Sequence, residues 1–268
     1  MFKNISIGQY IPGNSAVHNL DPRIKIIITF IFIASLFIIT RFTGYIFILA
    51  YIYIVVQISK VPFSYVLKGL KPIIIILLLT VGLNMFFTPG GITIFMLGPL
   101  KVTTSGLRLA GFMALRLIFL IIGTSLLTLT TSPISLTDGI EHLLNPFKKI
   151  GIPAHELAMM MTIALRFIPT LIEETDKIMK AQMARGADFE SGNLIKRAKN
   201  LIPLLVPLFI SAFRRADELA IAMESRCYKG GENRTRMKQL HIENRDYIAL
   251  VITIFMVAVL VWNRFWKW

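Results

Sequence analysis

Two stretches of the sequence carry the same pattern, DKIMKAQMARG at residues 176–186 and DELAIAMESRC at residues 217–227. Each stretch places an Asp, a large aliphatic residue, an Ala and an Arg at identical spacing, so the pair forms an internal repeat. On a helix the last three of these positions fall along one face. The sequence therefore predicts two similar helix ends, each with an apolar strip, a small residue and a terminal cation.

These two helix ends are the candidate contact sites of the chain. Two similar ends suit two similar docking sites, which indicates a dimeric or pseudo-dimeric partner. An Arg near a helix C-terminus also has a purely structural reading, because it complements the helix dipole by about 0.3–1 kcal/mol. Spacing alone leaves both readings open. The predicted docking residues are Ala184, Arg185, Gly186, Ser225, Arg226 and Cys227, and the supporting faces hold Asp176, Ile178, Ala181, Asp217, Leu219 and Ala222.

The composition around the repeat is that of a membrane protein. The 268 residues are 55% hydrophobic and 16% charged, with a mean hydropathy of +0.67, which excludes an ordinary soluble domain. The apolar residues fall in five runs nearly free of charge, and a helix needs roughly 20 residues to cross a bilayer, so the short second run must borrow residues from its flanks. The predicted spans are Ile24–Thr40, Gly44–Ile58, Pro72–Thr88, Leu107–Thr131 and Tyr247–Trp262.

The distribution of Lys and Arg predicts how these spans are oriented. Alternate loops are rich in Lys and Arg, and such loops lie on the cytosolic side. Almost all Asp and Glu lie in one basic segment between the fourth and fifth spans. We expect a cytosolic N-terminal arm (1–23), a membrane domain of four spans (24–131), a cytosolic coupling module (132–246), and a last span with an outer C-terminus (247–268).

Several other functions are disfavoured by the sequence. The net charge of +14 fits positive-inside topology and attraction to anionic lipid better than binding of nucleic acid. The single Cys227 excludes an internal disulfide and a cysteine metal cluster, and no cleavable signal peptide is expected. No Gly-x-x-x-x-Gly-Lys loop is present, and no second His follows His155-Glu156 at zinc spacing. We expect no catalytic residues, no cofactor and no metal site.

The basic segment is predicted to contain two long amphipathic helices. Apolar residues at spacings of three and four predict one helix over Ala154–Arg185, kinked at Pro169, where Arg166 is expected to pair with Glu173 or Glu174. A second helix is predicted from about Asn193 to Tyr228. The apolar part of the second helix, 201–213, is too short to span a membrane, and whether it or 157–172 enters the bilayer stays open.

Six short words in order along the chain resemble the transmembrane T component of energy-coupling-factor (ECF) transporters, a branch of the ABC transporters. The resemblance covers nearly the whole length and implies an all-α membrane protein. The matching words are Ile7-Gly8-Gln9-Tyr10, His18–Lys25, Leu129–Pro133, Leu165–Pro169, Ala181–Gly186 and Ala222–Arg226.

The resemblance implies a non-catalytic subunit of the bacterial plasma membrane. Such a subunit joins two cytosolic ABC ATPase subunits to a small membrane-embedded substrate-binding S component, for uptake of a vitamin or micronutrient. The words at Arg185 and Arg226 would end coupling helices that dock in the two ATPases. One departure is that Cys227 follows Arg226 where the family usually has Gly, which puts the tightness of that turn in doubt.

Alternatives to this reading remain at the level of the sequence. One is the cobalt- or nickel-uptake version of the same subunit. Another, from a different class, is a membrane-embedded enzyme or a pure assembly scaffold. The enzyme reading has little support, because the predicted spans offer only Asn84, Arg116 and scattered Thr as polar groups. Arg116 is itself either functional or an arginine that reaches towards the outer interface.

Overall fold

The structure is a computed structural model, and it describes residues 10–97, 100–189, 193, 195, 199–231 and 239–265. Apart from one hairpin, its regular elements are helices. They are α1 (Pro22–Ile38), α2 (Phe42–Ser59), α3 (Phe63–Lys68), α4 (Ile74–Phe87), β1 (Thr93–Leu97), β2 (Leu100–Thr103), α5 (Thr104–Thr130), α6 (Pro133–Leu144), α7 (Ala154–Ala184), α8 (Ile202–Glu224) and α9 (Asn244–Phe265).

The fold class predicted from the sequence, an all-α membrane protein, is confirmed. Among the described residues, five helical segments are long and apolar enough to cross a membrane. Four of them coincide with predicted spans. The first predicted span corresponds to α1, which has 17 residues and is shorter than all five. The fifth is α7, which the sequence analysis assigned to the cytosolic module. The five segments are Phe42–Ser59, Phe63–Phe87, Thr104–Thr130, Ala154–Ala184 and Asn244–Phe265.

Local signals in the sequence place several element ends correctly. Asp21 caps α1 by accepting a hydrogen bond from the Arg23 backbone N–H at 2.9 Å, and Pro22 stands at the first helical position. Thr131-Ser132-Pro133 is a helix stop and restart, and it separates α5 from α6. A hairpin precedes α5, with β1 antiparallel to β2, and Gly98-Pro99 between the two strands lies outside the described residues.

The chain divides into two compact units. The larger contains residues 8–139 and 239–268, and its core lies between α1, α2, α5 and α9. Leu36, Ile48 and Leu129 are fully buried there. The smaller contains the described residues between 140 and 231, and α7 packs against α8 within it.

Buried charges join the beginnings of α1 and α9 in the larger unit. Asp246 accepts a hydrogen bond from the backbone N–H of Asp21 at 2.7 Å, and Asp21 pairs with Arg23 at 2.8 Å. The Lys25 ammonium donates to the carbonyls of His18 and Thr130 at 3.0 and 2.9 Å. A buried polar group without partners is costly, so these contacts hold the residues before α1 to the helices.

The second long helix of the smaller unit, predicted from about Asn193 to Tyr228, is interrupted. Ile195, Lys199 and Asn200 are helical, but a turn at Leu201 separates them from α8, which extends over Ile202–Glu224. Pro203 lies in its first turn, where the missing N–H costs no hydrogen bond. Lys196 and Arg197, on the N-terminal side of this turn, lie outside the described residues.

Candidate functional site: two matching helix ends

The first candidate end closes α7. The Gly186 backbone N–H donates to the Met183 carbonyl and the Ala187 N–H to the Gln182 carbonyl, both at 3.0 Å. These two bonds form a Schellman motif, in which one residue takes the left-handed conformation. Gly186 has φ 89°, and no atom lies within 4 Å of where its Cβ would stand. Backbone conformation, rather than crowding, therefore favours glycine here.

The second end, after α8, repeats these bonds at equivalent positions. The Cys227 N–H donates to the Glu224 carbonyl at 2.8 Å, and the Tyr228 N–H donates to the Met223 carbonyl at 3.0 Å. Cys227 lies 41 residues after Gly186, and Tyr228 lies 41 residues after Ala187, so the two pairs hold equivalent positions. The internal repeat read from the sequence is therefore also a repeat of backbone geometry.

Cys227 resolves the doubt raised by the missing glycine. Its φ is 57°, so it holds the same left-handed position as Gly186. A non-glycine residue in this region costs roughly 1–2 kcal/mol. The turn after Arg226 is thus as tight as the turn after Arg185. Cysteine is less suited than glycine to the left-handed conformation that this turn requires.

Both arginines face solvent in this structure. Arg185 and Arg226 are exposed, and within the described part of the chain neither side chain has a hydrogen bond or an ion pair. The supporting faces match as well. Ile178 and Leu219 are half-buried, whereas the alanines at 181 and 222 are exposed. Each end thus offers a small residue and a cation on an accessible face beside a partly buried aliphatic residue.

α7 and α8 run antiparallel to each other. Glu174, in the middle of α7, accepts hydrogen bonds from Ser211 and from Arg215 of α8, the latter at 2.9 Å. Near the other end of the pair, the Tyr228 hydroxyl lies 2.9 Å from the Met159 sulfur. Later residues of α8 thus contact earlier residues of α7.

The antiparallel arrangement separates the two arginines. Arg185 lies eleven residues beyond Glu174, and Arg226 lies eleven residues beyond Arg215. At about 1.5 Å per residue, each arginine is about 16 Å from the central ion pair, in opposite directions. The two ends are therefore about 33 Å apart along the helices, related by a local pseudo-two-fold axis near Glu174 and Arg215.

The central ion pair differs from the pairing predicted from the sequence. Arg166 was expected to pair with Glu173 or Glu174, but Arg166 is exposed and Glu174 pairs with Arg215 instead. A signal was available, because Glu174 and Arg215 are 41 residues apart, which is the interval of the repeat. Opposite charges at equivalent positions of two antiparallel helices can meet at their crossing point.

Arg116, the cation within α5, contacts an aromatic ring. Its guanidinium carbon lies 5.0 Å from the ring centre of Phe37, and its Nε is buried without a hydrogen-bond partner in the described residues. A guanidinium over an aromatic face is stabilised by the ring quadrupole. This contact gives Arg116 a partner inside the protein but does not join it to the helix ends.

Comparison with known proteins identifies the family. Residues 13–237 match the family model CbiQ, described as cobalt transport protein. A protein of Clostridium kluyveri is 63% identical over 99% of both chains, and one of Thermosediminibacter oceani is 62% identical over 98% of this chain and 99% of its own. A protein of Bacillus subtilis is 52% identical over 98% of this chain and 100% of its own. Each of these three relatives is named energy-coupling factor transporter transmembrane protein EcfT.

These matches confirm the resemblance stated from the sequence. They extend across the membrane-spanning helices and both helix ends, so they concern the whole chain rather than a shared segment. The chain is a multi-pass membrane protein, and it belongs to the CbiQ/EcfT family of transmembrane components of energy-coupling factor transporters.

Proposed function

We propose that this subunit couples ATP hydrolysis by two cytosolic ATPase subunits to movement of a small substrate-binding S component in the membrane. The observation that carries the proposal is the equivalence of the two helix ends. Both present an exposed Arg before a left-handed residue, and they point away from each other along an antiparallel helix pair. Two equivalent sites about 33 Å apart suit a partner that is itself a dimer or pseudo-dimer.

In this proposal the arginines anchor the helices in acidic grooves of the ATPases. A guanidinium can make two parallel hydrogen bonds to one carboxylate, which a lysine ammonium cannot do. When ATP binding closes the ATPase pair, the two grooves approach each other and carry α7 and α8 with them. Movement of these helices would reorient the S component and release its substrate inward.

The proposed topology has the N-terminus and the helix ends in the cytosol and the C-terminus outside. Its support is the alternation of Lys and Arg between the short loops. α7 is long and apolar enough to cross a membrane, but its second half carries five charged residues, which are expensive in hydrocarbon. We therefore place α7 at the cytosolic interface. The five residues are Glu173, Glu174, Asp176, Lys177 and Lys180.

The transported substrate is set by the S component in this scheme, so a vitamin, another micronutrient or a metal ion fits equally well. The scaffold alternative differs in one measurable respect. A pure scaffold would hold the ATPases without altering their rate, whereas a coupling subunit changes the rate when its helix ends are altered.

The test is affinity purification from native membranes, followed by an ATPase assay of the material that is recovered. Arg185→Glu and Arg226→Glu should each weaken ATPase attachment by about 2–5 kcal/mol, the usual cost of disrupting a paired charge at an interface. The double variant should lose both the ATPases and transport. Lys180→Glu and Arg214→Glu are matched controls, because they make the same charge change at other exposed positions of α7 and α8. Retention of two ATPases and normal transport by the double variant would overturn the proposal.

A further inference from the structure

The larger unit contains an apolar cavity of about 300 Å³ between α1, α2, α5 and α9. The cavity is open on one side, where the wall residues Ile54, Ile58, Ile248 and Ile252 are exposed. This volume lies at the lower end of the range for small-molecule sites. Most of its wall is aliphatic, with Phe32 and Tyr51 as aromatic members. Water would bind weakly in such a cavity, because it would find few hydrogen-bond partners there.

The cavity has one polar end and one apolar end. On α1 its wall extends from Lys25 to Phe32, on α5 from Thr130 back to Gly123, and on α9 from Arg245 to Ile252. Each stretch covers eight residues, or seven steps of helical rise, so the cavity is about 10 Å deep. Its polar end lies where α1 and α9 begin and α5 ends, and α5 and α9 are membrane-spanning candidates. The cavity therefore extends from one membrane interface into the hydrocarbon region.

Nearly all polar groups of the wall are already satisfied. The hydroxyls of Thr29 and Thr130 donate to carbonyls of their own helices at 2.8 and 2.7 Å. Tyr51 shares a hydrogen bond with Thr253 at 3.0 Å, and Arg245 pairs with Glu243 at 2.9 Å. These groups leave little demand for a polar ligand within the cavity.

Lys25 is the exception. An ammonium carries three donors, and among the described residues that of Lys25 uses two, on the carbonyls of His18 and Thr130. Its side chain borders the cavity, and the residue is 6% exposed. A buried charged donor without an acceptor is costly, so the third N–H calls for an oxygen atom at the polar end.

The charges around Lys25 select the kind of oxygen. Asp21 and Asp246 lie near the ammonium, and Arg23 pairs with Asp21, so two acids already balance two bases. A carboxylate brought to this position would add an uncompensated negative charge. A neutral carbonyl would accept the hydrogen bond without that penalty.

We infer that this cavity binds one acyl chain of a membrane phospholipid, with the ester carbonyl of that chain accepting a hydrogen bond from the Lys25 ammonium. The apolar depth accommodates the beginning of the chain. The headgroup would lie at the mouth, beside the Arg245 side chain, which is 41% exposed. A free fatty acid shares the acyl chain but carries the disfavoured carboxylate.

The experiment uses the full-length chain in vesicles that contain phosphatidylglycerol with a photoactivatable diazirine on one acyl chain. Cross-links should map to the cavity wall. Ala249→Phe places an aromatic ring of α9 in the cavity and should reduce the yield of cross-links at least about tenfold. Ala258→Phe makes the same change at an exposed position of that helix and should leave them unchanged. Lys25→Met should weaken labelling about tenfold, the effect of one charge-assisted hydrogen bond.

Competition experiments identify which lipid carries the bound acyl chain. Their outcome does not depend on whether the subunit couples to ATPases. Unlabelled phosphatidylglycerol should displace the probe, and palmitate should displace it poorly. Equal labelling of the Ala249 and Ala258 variants, or labelling spread over all lipid-facing helices, would overturn the site. Displacement by palmitate alone would overturn the assignment to phospholipid. Loss of ATPase docking in the arginine variants bears on neither result.

Discussion

Glu174 and Arg215 hold the same position in the two copies of the repeat, 41 residues apart, and they pair with each other at 2.9 Å. A residue that contacts its own counterpart lies on the axis that relates the two copies. The two helix ends are therefore equidistant from this ion pair. We expect a displacement of one end to be transmitted to the other through the packing of α7 on α8.

Exchanging the charges of this pair tests the transmission between the helices. Glu174→Ala or Arg215→Ala should destabilise the protein by less than about 1 kcal/mol, because both side chains are partly exposed. Each should nonetheless lower transport while the ATPases stay attached, since the crossing point loosens. The double exchange Glu174→Arg with Arg215→Glu should recover transport.

Transport and ATPase recovery are measured on the same membranes. Glu173→Ala is the control, because Glu173 is the exposed neighbour of Glu174. If the exchange fails to recover transport and Glu173→Ala is equally harmful, the pair has no special role.

The left-handed conformation of Cys227 predicts an unusual order of tolerance at that position. Cys227→Gly should be neutral or stabilising by up to about 1 kcal/mol, because glycine reaches φ 57° without a Cβ clash. Cys227→Val should be destabilising, since a β-branched residue is disfavoured there. Cys227→Ala separates the thiol from the backbone effect. Thermal unfolding of the purified complex gives the order, and equal behaviour of the Ala and Gly variants would assign the effect to the thiol.

The exposed alanines of the two supporting faces are predicted to permit close approach of the partner. Ala181→Leu and Ala222→Leu should leave the stability of the chain unchanged, because both positions are exposed. They should reduce ATPase attachment, because each added side chain occupies the contact face. Ala220→Leu places the same bulk on another face of α8 and should retain the ATPases. Equal attachment in all three variants would remove these faces from the docking surface.

Cys227, the single cysteine of the chain, is exposed and can report the topology without mutation. A membrane-impermeant maleimide should label it in inside-out vesicles and spare it in intact cells, because the proposed topology places this helix end in the cytosol. Docked ATPases should protect it, and their removal should restore labelling. Labelling in intact cells would reverse the orientation.

The sequence predicted the elements whose signals are local. Asp21-Pro22 marks the beginning of α1, Thr131-Ser132-Pro133 separates two helices, and the spacing of the repeat predicts two equivalent helix ends. Each depends on capping, proline or periodicity within a few residues.

Features that depend on pairing between distant residues were not predicted. Arg166 has acidic neighbours in its own helix, so a local reading paired it with them and overlooked Arg215. The turn at Leu201, which separates the helical residues Lys199 and Asn200 from α8, was not predicted either. The conformation of Cys227 was equally inaccessible, because a cysteine carries no sequence preference for the left-handed region.

The docking of both helix ends on the ATPase subunits is tested most directly by site-specific cross-linking. A photoactivatable amino acid is placed at position 185 or 226, and at position 180 or 214 as controls on the same helices. Both test positions should cross-link to ATPase subunits in native membranes, at equivalent sites, with little product from the controls. Cross-links from 185 and 226 to lipid or to other membrane subunits, with none to an ATPase, would contradict the coupling role.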